Sequence, residues 1–165
     1  MIETPGLIAR VRAFLSQPAE AWDVAAQESP GGELGGYVIP LALVMTLTGL
    51  LGAALAAGFA LGPNLIVIEP LAAGLRFVFA LLGVLALAKI AQLLAPRFGA
   101  SEDGARATQW AAYGATGLLI GGLGMLWAPI APYALLVGAI YSIVLLFLGV
   151  TRVLAAPQPK RAGYY

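Results

Sequence analysis

Apolar residues fall along this chain in two registers: at helical spacing near the start, and in long unbroken runs from residue 37 onward. In the first register, Leu7, Ile8, Val11, Phe14 and Leu15 lie within an arc of about 120° on a helix turning 100° per residue. Arg10 and Arg12 border that stripe, and Ala9, Ala13 and Ser16 fill the back. Thr4 and Pro5 suit an N-cap and a first helical position. An apolar stripe edged by arginines predicts a helix lying in the headgroup plane, its basic heads snorkelling outward. The same stripe also suits a helix packed on a partner protein or on the rest of this chain. Pro18 restarts the chain as a second short helix to Gln27, where Trp22 fits an interfacial anchor. Residues 29–36, SPGGELGG, read as a flexible linker.

The second register predicts membrane spans, each near the ~20 apolar residues a crossing helix needs. The first runs from about Tyr37 to Leu61, with Pro40 in its first turn, where a missing N–H costs little. Gly62-Pro63-Asn64 reads as a turn. The second span runs from Ile66 or Pro70 to Ala95, stopped by Pro96. A polar loop from Pro96 to Arg106 follows, with Asp103 or Ser101 able to cap the next helix. The third span covers about Ala107 to Leu126, its glycines leaving open a further break and a five-helix count. The fourth covers about Pro132 to Leu154, before the prolines at 157 and 159.

Charge placement then selects the topology. Arg10, Arg12, Arg97, Arg106, Arg152, Lys160 and Arg161 share one side of a four-span chain, and the two opposite loops carry no basic residue. The positive-inside rule puts that side in the cytoplasm. Three or five spans would scatter these charges. The expected fold is an all-α, polytopic transmembrane bundle of two hairpins. It divides into a cytoplasmic N-terminal segment (1–36), the bundle (37–156) and a short cytoplasmic tail (157–165).

Composition agrees and narrows the chemistry. The 165 residues are 61% hydrophobic and 10% charged, against roughly 25% charged in soluble domains. A net charge of +1 offers no clustered basic face for nucleic acid. With no Cys and no His, disulfides, thiolate or imidazole metal sites and triads built on either residue are excluded. No metal and no cofactor is expected.

Within the spans, Arg76, Lys89 and Glu69 are the charges to explain, since an intramembrane charge is a functional candidate by default. Lys89 lies six residues from Ala95, about 9 Å, and can snorkel to the near surface. Arg76 lies nineteen residues from Ala95, about 28 Å, near the far surface. It either anchors there, pairs with Glu69, or marks a ligand or ion path. Small residues recur on the helix faces. Gly49 stands in the first span, Gly117 and Gly121 form a GxxxG pair in the third, and Gly138 pairs with Ser142 in the fourth. Such residues let backbones approach closely, within the chain or between copies.

A string of landmarks resembles the Yip family of small polytopic membrane proteins, in its short bacterial form. The matching pieces are Pro18 with Trp22, then residues 37–42 (YVIPLA), 94–99 (LAPRFG), 111–116 (AAYGAT) and 140–150 (IYSIVLLFLGV), and finally Pro159 to Ala162 with Tyr165. The family is often described with five spans, where the charges here favour four. Eukaryotic relatives are associated with Rab GTPases, vesicle traffic and membrane shaping. No catalytic residues come with the resemblance. The expectation is a non-enzymatic protein of the bacterial inner membrane acting by interaction, as a scaffold, membrane organiser or accessory subunit. Its expected partners are anionic lipid at the cytoplasmic face, other membrane proteins or itself. The competing class is a small-solute or ion transporter built around Arg76 and Lys89.

Overall fold

The computed structural model describes residues 6–58, 62, 64–100 and 102–154. The Thr4-Pro5 cap, Pro63, Ser101 and the tail from residue 155 lie outside these. Among the described residues the secondary structure is all helical. Two short helices, α1 (Leu7–Ser16) and α2 (Pro18–Gln27), form an N-terminal hairpin, with Pro18 at the start of α2. A π-helical turn, Leu34–Val38, runs into α3 (Ile39–Ala56). A second one, Asn64–Ile68, runs into α4 (Glu69–Phe98). The next rod is broken: α5 (Gly104–Gly114), α6 (Thr116–Gly121) and a 3₁₀ turn, Gly122–Leu126. Helix α7 (Ala131–Val150) ends the described bundle.

Leu34–Ala56, Leu65–Arg97 and Ala131–Val150 are each long and apolar enough to cross a membrane. Both of the first two open on a wide turn followed by a proline, Pro40 and Pro70. A proline ring inside a helix clashes with the preceding turn and lacks an N–H, and a π-turn supplies the room. This corrects the linker reading of residues 34–36, which are helical. A second correction concerns Pro96. It sits inside α4, forfeiting one backbone bond in the last turn. Gly99 ends the helix instead, in the left-handed region at φ 68°, with Ala100 N–H donating to Ala95 O at 3.0 Å.

The segment expected as one span over 107–126 starts earlier and is broken at Ala115. Asp103 caps it, its carboxylate accepting from Ala105 N–H at 2.8 Å. Glycines at 114, 117, 121, 122 and 124 weaken a continuous helix. At the break, Thr116 Oγ1 donates to Tyr113 O at 2.5 Å, and Leu118 N–H donates to Ser142 Oγ of α7 at 2.8 Å. The backbone groups freed by the break thus find partners.

Four rods alternate in direction. The turn before α3 lies against α5, with Tyr37 on Tyr113, and shares a cavity with Leu7 and Arg10 of the hairpin. The end of α4 returns there, Gln92 Nε2 donating to Glu102 O at 3.1 Å. The broken rod then runs antiparallel to α7 from end to end. Trp110 Nε1 donates to Leu146 O, Gly117 meets Gly138 and Ser142, Gly121 meets Ala134, and Gly124 meets Ala134 and Ala131. At two of these crossings backbone faces backbone. A Cβ on Gly117 would lie 2.6 Å from Gly138 O, and one on Gly121 would lie 2.6 Å from Ala134 O. The α5 segment is the centre of the core, with Ala107, Trp110, Ala111, Ala112 and Tyr113 all buried.

Candidate interaction site

The N-terminal hairpin does not ride free on the bundle. From α1, Phe14 turns inward and stacks in an aromatic cluster with Trp22 of α2 and Tyr113 of α5 (centroids 5.0 and 4.9 Å). Tyr37 meets Tyr113 edge-on at 5.0 Å. Trp22 is fully buried and lies over Gly149, where a Cβ would stand 2.6 Å from its Cζ2. The absence of a side chain at Gly149 is therefore what seats the indole. Edge-to-face aromatic pairs add about 0.5–1.5 kcal/mol beyond area burial.

Around this cluster the polar side chains close on one another. Arg10 donates bidentately to Glu28, Nη1 to Oε2 at 2.5 Å and Nη2 to Oε1 at 2.8 Å. Its Nη1 also donates to Tyr113 Oη at 2.6 Å, and the guanidinium carbon stands 5.0 Å from that ring's centroid. Burial alone would lower the Arg10 pKa. The Glu28 hydrogen bond and the attraction of Tyr113, Glu28 and Tyr37 outweigh burial and raise it above the usual guanidinium value. Tyr37 Oη and Thr116 Oγ1 are 2.7 Å apart. Because Thr116 gives its one proton to Tyr113 O, Tyr37 is the donor. Glu33, also buried, accepts from Gly31 N–H with both oxygens, at 2.9 and 3.0 Å. Arg10, Glu28, Glu33, Tyr37 and Tyr113 line a cavity of about 540 Å³.

Four more contacts tie the hairpin down. Gln109 Nε2 donates to Ala25 O at 2.9 Å, Arg106 Nη1 to Ala26 O at 3.0 Å, and Tyr141 Oη to Phe14 O at 2.9 Å. Arg152 Nε meets Asp23 Oδ1 at 2.6 Å. Arginines from the start of α5 and the end of α7 thus reach the same hairpin.

These positions revise the surface-helix residues. Arg10, expected at the edge of the stripe and aimed at headgroups, is only 8% exposed and turned to Glu28 and Tyr113. Phe14 and Trp22 are inside, and Leu7 and Val11 are half-buried against the core. The reason is the ring contact of Phe14 and Trp22 with Tyr113 of α5, which takes that part of the apolar face out of solvent. Ile8, 84% exposed, remains outward with Arg12 and Leu15.

At the other end, Arg76 Nη2 stands 3.6 Å from Glu69 Oε2. Lys89 is exposed and its Nζ donates to Gln92 Oε1 at 3.0 Å. Gly49 faces Met125 and Arg76, while Gly117, Gly121 and Gly138 meet at the crossing of the broken rod with α7. Sequence reasoning passed over Glu28, Glu33, Tyr37, Tyr113, Thr116 and Gln109. A signal was present: Gln109, Tyr113 and Thr116 follow an i, i+4, i+7 spacing, a polar stripe on an otherwise apolar rod.

A family model described as the Yip1 domain matches residues 12–165. No curated protein and no solved structure matches the chain.

Proposed function

The chain belongs to the Yip1 domain family, and on that premise we propose a non-enzymatic membrane protein that acts by interaction, as a scaffold or accessory subunit. The N-terminal hairpin is its contact surface. One observation carries this reading. The hairpin is held by ionic, aromatic and backbone contacts from α5, α7 and the residues just after α7, yet its outer side keeps Ile8, Arg12, Leu15 and Val24 exposed. A surface held in one conformation binds without the ordering cost a flexible segment carries.

Four crossings are part of the proposal. The broken rod has the length of a span, running beside α7 from Gly149 to Ala131. Arg106 and Arg152 converge on one end with the hairpin, and the positive-inside rule makes that end cytoplasmic, in a bacterial inner membrane. With Arg10 withdrawn into its ion pair, Arg12 is the arginine of α1 left for anionic headgroups. It contributes on the order of 1 kcal/mol.

The competing reading, transport of a small solute or ion, draws on Arg76. Of two cavities against that residue, one is walled by Leu75, Phe79, Leu87, Leu118 and Leu146, a lining suited to hydrocarbon rather than to a hydrated path, and the other also holds Glu69, the carboxylate paired with Arg76.

The reading is tested with a photo-crosslinking amino acid at Ile8 or Arg12 in native membranes, with buried Phe14 as control. A discrete protein adduct is expected from the two exposed positions. If these yield only lipid adducts, the hairpin is not a protein-binding surface.

A further inference from the structure

Helix α4 packs on α3 and α5. Between α4 and the α6–α7 pair lies a cavity of about 660 Å³, within the range of small-molecule sites. Its walls are aliphatic and aromatic, and it is open at the side: Leu75, Phe79 and Leu118 are 49%, 66% and 42% exposed. Among the described residues that line it, Arg76 is the charged one. The guanidinium rests across Gly49 near Met125. Glu69 Oε2 is its ion-pair partner at 3.6 Å, beyond hydrogen-bonding distance, and among the described residues its buried Nε and Nη2 have no hydrogen-bond partner. Arg76 also lines a neighbouring cavity, and Glu69 lies on that one alone.

We propose that this groove is a phospholipid site, in which an acyl chain lies along α4 and the lipid's phosphodiester accepts from the exposed edge of the Arg76 guanidinium, whose side chain is 29% exposed. Three features converge on that occupant. A guanidinium in apolar surroundings requires an acceptor, and a phosphate offers oxygens in the geometry of its planar fork. The lining suits hydrocarbon and opens sideways, where lipid is the solvent. The depth also fits. Arg76 stands twenty-one residues before Arg97 on one helix, about 31 Å at 1.5 Å per residue, which matches a hydrocarbon core about 30 Å thick. With Arg97 at one headgroup layer, Arg76 reaches the other. A helix of a second copy would fill the apolar wall but bring no anionic acceptor to Arg76.

The test uses the full chain in mild detergent, with native mass spectrometry and thermal unfolding on added phosphatidylglycerol. The wild type is expected to hold one lipid through detergent exchange and to unfold at higher temperature when lipid is restored. Arg76→Gln should lower retention at least tenfold. Gly83→Leu is the second variant. Gly83 lines the groove, and a Cβ there meets nothing within 4 Å, so the leucine fills the acyl path without disturbing the packing. It should lose the lipid and keep the wild-type unfolding temperature measured without lipid. If Arg76→Gln does not fold, Gly83→Leu decides. Lipid retention at the wild-type level in Gly83→Leu, or in a folded Arg76→Gln, overturns the proposal. So does inorganic phosphate giving the same stabilisation as the lipid, or a lipid-free wild-type dimer that Gly83→Leu dissociates.

Discussion

The Arg10–Glu28 pair is 10% and 11% exposed at its side chains, so each charge depends on the other and on Tyr113. Removing one partner from a buried pair costs about 3–5 kcal/mol, whereas replacing both by apolar groups is often neutral. Glu28→Gln is therefore expected to destabilise the hairpin's docking by about that amount. The double change Arg10→Met with Glu28→Leu should recover most of the loss. Chemical unfolding in detergent, followed by the fluorescence of buried Trp22, measures both. Equal loss in the single and the double variant would mean that the pair supplies net binding rather than mutual compensation. Neither charge announces the pair in sequence. They stand eighteen residues apart on either side of a helix turn, and only the docked hairpin brings them together.

Among the helices, the contact of α6 with α7 is where backbone geometry sets the limits. Gly117→Leu would press a side chain onto Gly138 O and Ser142 N, which as helix backbone cannot swing aside. Overpacking of this kind costs about 1–3 kcal/mol or more. Gly74→Leu on α4 is the matched control, because a Cβ there meets nothing within 4 Å. The unfolding midpoint in detergent should fall for Gly117→Leu and stay within error for Gly74→Leu. Equal midpoints for Gly117→Leu and the wild type would place no weight on this crossing. The spacing of Gly117 and Gly121 names a face of the rod. That the face meets Gly138 and Ala134 within the same chain follows only from the alternation of the four rods.

At the scale of the whole molecule, the broken rod decides the topology. Helix length and hydropathy identify Leu34–Ala56, Leu65–Arg97 and Ala131–Val150 as candidate spans. If the rod beside α7 crosses as well, reporters fused after Arg97 and after Tyr165 should both read cytoplasmic, and one near Ala131 should read the opposite side. Three crossings would instead put Arg97 and Ala131 on one side and Tyr165 on the other. Matching signals at Arg97 and Ala131 would therefore reject the four-crossing reading.

Helical class and membrane character were determined by the sequence itself, because both follow from local quantities: runs of apolar residues longer than a bilayer core, and prolines and glycines that bound them. The reach of the first helical stretch back to Leu34 was not visible, since glycines at 35 and 36 read as linker until a wide π-turn is built through them. The fate of the α1 stripe was decided by tertiary structure alone. An amphipathic face carries the same pattern whether it meets headgroups or protein. What meets Phe14, Trp22 and Arg10 inside is a set of groups remote in sequence, namely Tyr113 and Gly149. The spacing of Leu7, Val11 and Phe14 requires that their face leave water, and the cover is chosen by whatever surface the rest of the chain holds within reach.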